Sequence, residues 1–382
     1  MMRKICIVIT ARPSYSRVKT LLNAVKENST LELQLVVTAS ALLYRYGCVE
    51  KTIDFDGFKI DDKIFNIIEG ESLTTSAKTT GLGIIELATT FEKLKPDIVV
   101  TVADRFETMA TAIAASYMNI PLAHIQGGEV TGNIDEKVRH SITKLADYHF
   151  VSSKDAKLRV IRLGENPKYV FNTGCPSIDI AARIAEDQLL KDDINIVGVG
   201  EDIYLNSDYI IVLQHPVTTE YGDSFEQINK TLNVVSGLEI PTLWFWPNVD
   251  SGSDGISKGI REFREKKNKC SIKFIKNLEP EEFLKLLYNT KCLVGNSSVG
   301  IREASFLGVP VANIGTRQNG RTRGRNVVDV DHNELEIKNA ILKQISNGRY
   351  ETEEIYGDGN AGDNIAKELE KLPLVFKKTL QY

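Results

Sequence analysis

Residues 121–140 read PLAHIQGGEVTGNIDEKVRH, an apolar run that ends in two glycines and is followed by charged residues. The apolar run predicts a buried strand, and the residues after it recur at helical spacing. Asp135 with Arg139 and Glu136 with His140 are each four residues apart, so these side chains share one helix face. A strand followed by a turn and a helix predicts a parallel α/β sheet. The charged face beside the turn indicates a site that moves protons on an anionic substrate.

The length and charge of the chain narrow the classes of protein to consider. A chain of 382 residues exceeds one ordinary domain, so two domains are expected. A net charge of −4 argues against nucleic acid as the main partner, and no apolar stretch reaches the roughly 18 residues of a membrane span. The five cysteines are odd in number and far apart, which indicates reduced thiols and a cytoplasmic location. No cysteine or histidine cluster has metal-ligand spacing, so neither a metal nor another cofactor is expected.

Strands and helices alternate through both halves of the chain. Continuous apolar strands separated by helical runs predict parallel sheets covered on both faces. A polar, acidic segment at 185–193 marks the crossing to a second half, in which the pattern restarts. We therefore predict two doubly wound Rossmann-type domains with a cleft between them. The predicted strands are 5–10, 31–37, 97–102, 121–125, 148–151 and 169–172 in the first half, and 209–213, 242–246, 271–275, 292–294 and 310–314 in the second.

The residues that follow each strand are candidates for a site, because ligands of such sheets bind at the carboxyl ends of the strands. Arg12 and Ser16 follow the first strand, where a dinucleotide fold would carry its glycine motif, and they could bind an oxyanion. They could equally belong to an ordinary capped helix. Asp104 and Arg105 follow strand 97–102, where Asp104 is either a base aimed at the cleft or a helix cap.

Two strand ends in the second half carry polar residues. His215 follows strand 209–213 and could bind phosphate or carry a proton, although a structural histidine is the simpler interpretation. Asn248 follows strand 242–246 and could contact a sugar or phosphate, unless it lies in a plain turn.

A stronger signal is the stretch 294–303, VGNSSVGIRE, which gives a strand, a small polar turn and a helix start in that order. Backbone N–H groups at the helix start, together with Ser297 and Ser298, suit a diphosphate. Glu303 would lie about one and a half turns into the helix and could accept bonds from ribose hydroxyls. A capped helix without a ligand remains the alternative.

One glycine motif is set aside. Residues 357–362, GDGNAG, match the dinucleotide pattern literally, but no buried strand precedes them and too few residues follow for a βαβ unit. We predict a turn ahead of the last helix.

These motifs together resemble the UDP-N-acetylglucosamine 2-epimerase family, and most closely its hydrolysing branch in sialic-acid-type sugar synthesis. The matching motifs cover almost the whole chain, and their combination is highly specific. They are Arg12 with Tyr15-Ser16, Asp104-Arg105-Phe106, His124 to His140, Gln214-His215-Pro-Val-Thr-Thr219, Pro247-Asn248, Gly295-Asn-Ser-Ser298 through Arg302-Glu303, and Gly315-Thr-Arg317-Gln318.

The resemblance implies a fold, a substrate and an assembly. The fold would be GT-B-like, with Rossmann-like domains at residues 1–180 plus 364–382 and at 190–360, the last helix returning to the first domain. The substrate would be the nucleotide-sugar UDP-N-acetylglucosamine (UDP-GlcNAc) and a product UDP, with no nucleic acid or membrane partner. The assembly would be a homodimer or homotetramer.

The resemblance also implies roles for individual residues. Gln126 stands where the family often has glutamate, and Ala41 stands where some hydrolysing members have histidine. The nucleotide would be held by Arg12, His215, Ser297, Ser298, Glu303 and Arg317, with Ser16, Arg105, Gln126 and Asn248 as further substrate contacts. The sugar would be surrounded by Asp104, Glu129, Asp135, Glu136 and Arg139.

The expected chemistry is an elimination followed by a hydration. A carboxylate, Asp104 first and Glu136 second, would remove the C2 proton while UDP leaves C1. Water would then add to the resulting glycal, with inversion at C2, to give N-acetylmannosamine. Alternatives are a hydrolysing 2-epimerase of a UDP- or GDP-linked 2,4-diacetamido-trideoxy sugar, which Gln126 keeps open, and a non-hydrolysing epimerase. From another class come a GT-B glycosyltransferase and a nucleotide-sugar binder.

Overall fold

Two compact units make up the chain, each built around its own parallel sheet. The first unit comprises Met1–Val130, Asp135–Asp179 and Tyr356–Tyr382, and the second contains Ile180–Ile355. The computed structural model describes residues 2–44, 48–69, 73–130, 134–187, 197–247, 252–266, 270–276, 278–374 and 378–381.

The sheet of the first unit has seven strands in the order β3-β2-β1-β4-β5-β6-β7, and all of its neighbours are parallel. The strand order reverses between β1 and β4, which makes the carboxyl end of this pair the topological switch point where doubly wound sheets bind ligands. The strands are β1 (Arg3–Ile9), β2 (Leu31–Thr38), β3 (Asp62–Ile64), β4 (Ile98–Val102), β5 (Leu122–Ile125), β6 (Tyr148–Val151) and β7 (Val170–Asn172).

Strand β1 shows why these segments read as continuous apolar runs. Ile5, Ile7 and Ile9 pack into a core on one face of the sheet, and Cys6 and Val8 pack into a second core on the other. Because alternate side chains point to opposite faces, a strand covered on both faces needs apolar residues at every position. The helices are α1 (Arg12–Ser16), α2 (Lys19–Glu27), α3 (Glu50–Phe55), α4 (Leu73–Leu94), α5 (Thr108–Tyr117), α6 (Ile134–Leu145), α7 (Lys154–Arg162) and α8 (Pro176–Glu186), which continues into the second unit.

The second unit repeats the architecture in the order β14-β13-β12-β9-β10-β11-β8, with β8 as an antiparallel edge strand. Its strand order reverses between β9 and β12, which places a second switch point at their carboxyl ends. The strands are β8 (Val199–Gly200), β9 (Ile210–Leu213), β10 (Thr242–Phe245), β11 (Ile272–Ile275), β12 (Cys292–Gly295), β13 (Val311–Ile314) and β14 (Val327–Val330). The helices are α9 (Ser224–Leu238), α10 (Ser253–Lys266), α11 (Pro280–Asn289), α12 (Glu303–Phe306) and α13 (Glu334–Asn347).

The last helix, α14 (Ala361–Lys371), packs in the first unit against α2. Both carboxylate oxygens of Asp179 accept bonds from its first turn, from the Ala361 and Gly362 amides at 2.8 Å each. A Cβ at Gly362 would lie 2.6 Å from the Thr20 carbonyl carbon, so this glycine permits close helix packing. The glycine motif at 357–362 therefore leads into the start of α14, as the sequence predicted.

Several elements were not predicted from the sequence: the short helix α3 and the 22-residue helix α4, together with strands β3, β8 and β14. Gly83 explains part of the omission, since glycine normally disfavours helix. A Cβ there would lie 2.8 Å from the Asn66 side chain and 2.9 Å from that of Ala110, so Gly83 lets α4 pack closely against its neighbours. No helix among the described residues combines the length and the apolar character needed to cross a membrane.

Candidate active site

Three strands of the first unit end in a residue with a left-handed backbone. Ala39 after β2, Ala103 after β4 and Gln126 after β5 have φ angles of 53°, 67° and 66°. Such a conformation disfavours residues with a Cβ by about 1 kcal/mol or more, and it clusters at functional sites. The carboxyl edge of this sheet is therefore held in a specific, strained shape.

Asp104 follows the strained Ala103 directly and forms an ion pair with Arg139 of α6. The Arg139 side chain is 1 % exposed and that of Asp104 is 15 % exposed, so a buried cation faces a carboxylate that water still reaches. Arg139 also donates to the Glu129 carbonyl at 2.9 Å. The guanidinium thus joins the loop after β4, the loop after β5 and helix α6, and it favours the ionised form of Asp104.

This pairing changes the predicted arrangement of the charged helix face. Glu136 and His140 do interact within α6, with 3.3 Å between Glu136 Oε1 and His140 Nε2, and both side chains are partly exposed. Arg139 instead points inward to Asp104, because its long side chain reaches the neighbouring strand end. The side chain of Asp135 lies outside the described residues.

A buried carboxylate that the sequence reasoning did not single out lies close to Asp104 in the chain. Glu107 is 2 % exposed and accepts bonds from Ser40 Oγ at 2.9 Å and from Arg105 Nε at 3.3 Å. The Arg105 guanidinium, a predicted substrate contact, is therefore paired with a carboxylate of the protein at the same edge of the sheet. In the sequence, an acidic residue just before a helix is typical of a helix cap. Glu107 therefore cannot be identified as a site residue from its neighbours in the chain.

Gln126 faces a thiol. Its Nε2 donates to Cys175 Sγ at 2.9 Å, and the same sulfur lies 2.9 Å from Ser177 Oγ. Gln126 and Cys175 are both buried. The sequence identifies Cys175 only as one of five separate reduced thiols, because its partner lies about fifty residues earlier in the chain.

The predicted anion-binding residues of α1 sit beside the switch point. Arg12 is partly buried at the start of this helix, where Pro13 occupies the first turn. Ser16 Oγ donates to the Pro13 carbonyl at 3.0 Å, so its hydroxyl stabilises the helix end itself.

The switch point of the second unit is held together by Asn296. Its Oδ1 accepts from the His215 amide at 2.7 Å, and its Nδ2 donates to the His215 carbonyl at 2.9 Å. Its own carbonyl accepts from Gln318 Nε2 at 2.8 Å and from Arg317 at 3.3 Å. The predicted residues His215 and Arg317 are thus brought together, through an asparagine and a glutamine to which the sequence reasoning gave no role.

Gly295 is required at the same edge. It has φ 129°, and a Cβ there would lie 2.2 Å from the Leu213 carbonyl oxygen. No other residue fits without moving β9 or β12, so the turn after β12 begins at a fixed place.

The turn itself differs from the prediction. Ser298–Gly300 form a short 3₁₀ turn capped by Ser297, and Glu303 is the first residue of the four-residue helix α12 rather than a residue one and a half turns inside a long helix. Ser298 Oγ accepts from the buried Arg302 at 3.1 Å. Glu303 is buried, and its Oε2 lies 3.9 Å from Arg302 Nε but accepts no hydrogen bond from the described residues. A short helix has a weak dipole, so hydroxyls and arginines carry more of the anion binding expected here.

Two further predictions from the sequence concern Asn248 and metal binding. Asn248 lies outside the described residues. Within the described part of the chain, no group of three or more histidine, cysteine, aspartate or glutamate residues could hold a metal ion.

The fold places the chain among GT-B-like α/β proteins. The crystal structure of UDP-GlcNAc 2-epimerase from Neisseria meningitidis bound to UDP-GlcNAc matches with a TM-score of 0.80 and 20% identity, over 97% of this chain and 100% of the other. At that identity the likeness shows the shared fold.

Sequence comparison identifies the family. The model of the UDP-N-acetylglucosamine 2-epimerase family matches residues 23–370, so the chain belongs to that family. It is 31% identical to the UDP-N,N'-diacetylbacillosamine 2-epimerase (hydrolyzing) of Legionella pneumophila, over 98% of this chain and 97% of the relative. It is also 31% identical to the UDP-N-acetylglucosamine 2-epimerase of Neisseria meningitidis serogroup B, over 94% and 92% of the two chains.

Proposed function

We propose that the protein is a hydrolysing 2-epimerase that converts UDP-GlcNAc and water to N-acetylmannosamine and UDP. The observation that carries the proposal is the Asp104–Arg139 pair, a water-accessible carboxylate held by a buried cation at a strand end. Membership of the epimerase family supports the reaction type, and the Legionella relative supports the hydrolysing course.

In the first step Asp104 acts as the base. Its carboxylate takes the proton from C2, the electrons of the C2–H bond form the C1=C2 double bond, and the C1–O bond breaks toward UDP. Arg139 holds the Asp104 carboxylate in place at the strand end, and the ionised carboxylate is the form that accepts a proton. The products of this step are UDP and a 2-acetamido glycal.

The second unit would supply the binding energy for the leaving group. Arg317 and His215, joined through Asn296, and the hydroxyls of Ser297 and Ser298 are groups that can donate to phosphate oxygens. Neutralising the charge that grows on UDP lowers the barrier to its departure. The Glu303 carboxylate, whose Oε2 lies 3.9 Å from Arg302 Nε, would accept bonds from ribose hydroxyls.

In the second step the oxygen of a water molecule adds to C1, and a proton is delivered to C2 on the opposite face. The proton left over from the water passes to solvent, as does the one that Asp104 took in the first step. Glu136 is the proposed donor, because it is a partly exposed carboxyl on the helix that also carries Arg139. Its side chain is 29% exposed, so it can exchange its proton with water directly.

Gln126 supports a second candidate substrate, a UDP-linked 2,4-diacetamido-trideoxy sugar. Its amide, held by Cys175, presents a neutral group at a position where a carboxylate is common in the family. A neutral amide is a suitable partner for an additional acetamido group, and the Legionella relative is named for such a sugar.

The test is incubation with each UDP-sugar in heavy water, followed by proton NMR of the products. Free UDP with C2-deuterated N-acetylmannosamine from UDP-GlcNAc supports the main proposal. Turnover of the diacetamido substrate alone selects the second candidate. A UDP-linked mannosamine product, or no turnover of either sugar, contradicts the hydrolysing assignment.

A further inference from the structure

His124 is a fully buried histidine whose two ring nitrogens contact different elements of the first unit. Its Nε2 lies 2.9 Å from the Ala103 carbonyl oxygen, and its Nδ1 lies 3.2 Å from Thr143 Oγ1 in α6. His124 itself belongs to β5, so one imidazole connects three elements.

The protonation state of His124 follows from these contacts. A carbonyl oxygen only accepts, so Nε2 must carry the proton, and Nδ1 then accepts from the Thr143 hydroxyl. Burial lowers the pKa of His124 to about 3, so the ring is neutral near neutral pH. His124 therefore cannot serve as a proton carrier, and both of its nitrogens are used in fixed hydrogen bonds.

Each of the two contacts of His124 lies close in the chain to one member of the Asp104–Arg139 ion pair. Ala103 is the strained residue immediately before Asp104, and Thr143 lies four residues, about one helical turn, after Arg139. The hydrogen bond between His124 and Thr143 is closely packed against Gly127. A Cβ at Gly127 would lie 3.0 Å from Thr143 Oγ1 and 3.1 Å from His124 Nδ1. A shift of α6 along its axis would break the Thr143 bond and move Arg139 away from Asp104.

We propose that His124 and Thr143 are positioning residues for the proton transfer: the imidazole fixes α6 against the loop after β4, so that Arg139 meets Asp104. This inference rests on the proposed function. It assigns a role to a fully buried, neutral histidine that does not itself carry the proton.

The test is Thr143→Val, which keeps the shape of the side chain and removes the hydroxyl. The expected result is a fall in kcat of about tenfold with KM changed less than about twofold, because a small displacement of a catalytic group slows the chemical step. UDP affinity, measured by calorimetry, should be unchanged. Thr143→Ser restores the hydroxyl and should restore most of kcat.

Thr111→Val is the matched control. Thr111 is also fully buried in a helix of the first unit, but its hydroxyl makes no hydrogen bond within the part of the chain that the structure describes. It should leave kcat within about twofold of the wild type, since no hydrogen bond is lost. The inference is overturned if Thr143→Val has the same kcat as the control. It is also overturned if Thr143→Val weakens UDP binding as much as it raises KM. The proposed function stands in either case.

A double-mutant cycle with Arg139→Lys tests whether Thr143 acts through Arg139. Non-additive effects on kcat are expected, because the two substitutions disturb one ion pair. Fully additive effects contradict the inference. If the wild type turns over no UDP-sugar, the proposed function fails, and a crystal structure of Thr143→Val then decides the inference: an Asp104–Arg139 pair unmoved from its wild-type position overturns it.

Discussion

The two units share one topology, but their switch points are built from different chemistry. In the first unit the edge carries strained non-glycine residues and an ion pair between Asp104 and Arg139. In the second unit a glycine supplies the unusual backbone, and the neutral side chains of Asn296 and Gln318 tie the strand ends together. The comparison suggests that one edge is organised to react and the other to bind. Substitutions in the two units should therefore change different kinetic constants.

The largest effect is expected for Asp104→Asn. The amide has the shape of the carboxylate but cannot accept the C2 proton, so kcat should fall by about a thousandfold or more. Calorimetry should show UDP affinity within about threefold of the wild type, because the proposed nucleotide contacts other than Arg12 belong to the second unit. Full turnover by this variant would refute Asp104 as the base. Loss of UDP binding would contradict the proposal that the first unit reacts and the second unit binds the nucleotide.

Asn296→Ala should give the opposite pattern. It removes the two side-chain hydrogen bonds to the buried His215 backbone, at a cost of about 1–3 kcal/mol for each group left unsatisfied. The dissociation constant for UDP should rise at least about tenfold, while kcat at saturating substrate changes little. Asn233→Ala is the control, since that side-chain amide donates to Glu334 at an exposed site of the same unit.

A smaller effect is expected for Lys378→Met, in a buried charge network of the first unit. Burial opposes ionisation of Glu165, but hydrogen bonds from His149, Lys144 and Lys378 outweigh it and lower the pKa of Glu165 to about 2. Lys378 donates to Glu165 at 2.6 Å and to carbonyls at the end of α6. Losing these bonds should reduce the free energy of unfolding at pH 7 by about 1.5–3 kcal/mol.

The pH dependence of this effect has a definite sign. The pKa of Glu165 is lower in the folded state than its ordinary value of 4.5, so its stabilisation is present above pH 4.5 and is lost as the pH falls toward 2. The deficit of Lys378→Met should therefore shrink in acid, as measured by urea unfolding at pH 7 and pH 3. A deficit that stays constant would show that Lys378 stabilises the unit through its carbonyl bonds and its packing, and not through Glu165.

The buried histidines add acid sensitivity to the first unit. Burial lowers the pKa of both His124 and His149, so the unfolded state binds more protons and stability falls as the pH drops below about 6.5. Hydrogen exchange at pH 5 and pH 7, corrected for intrinsic rates, should show protection falling in β5 and β6 more than in β9 and β12. Equal losses in both sheets would contradict this difference between the units.

The smallest effect is expected for Cys175→Ser. A hydroxyl can accept from Gln126 as the thiol does, so kcat and KM should stay within about twofold. Cys175→Val removes the acceptor and should raise KM for the sugar more than it changes UDP affinity. Identical kinetics for the two variants would show that the thiol does not orient Gln126.

The sequence was a good guide to the strands and a poorer one to the contacts between them. The strands that end beside Asp104, Gln126 and His215 could be predicted, because a continuous apolar run of four or more residues is typical of a buried strand. The Asp104–Arg139 pair could not, since spacing along α6 describes neighbours within one helix and says nothing of a side chain that reaches another strand. Asn296 and Cys175 were missed for the same reason, because their partners are distant in the chain.

The most direct test of the division between base and acid is the detection of the glycal intermediate by NMR. Glu136→Gln, incubated with the substrate that the wild type turns over, should release UDP and accumulate the glycal, because elimination proceeds and reprotonation at C2 does not. Asp104→Asn should release neither. Glycal formation by Asp104→Asn, or its absence with full turnover in Glu136→Gln, would contradict the assignment of these two carboxyl groups.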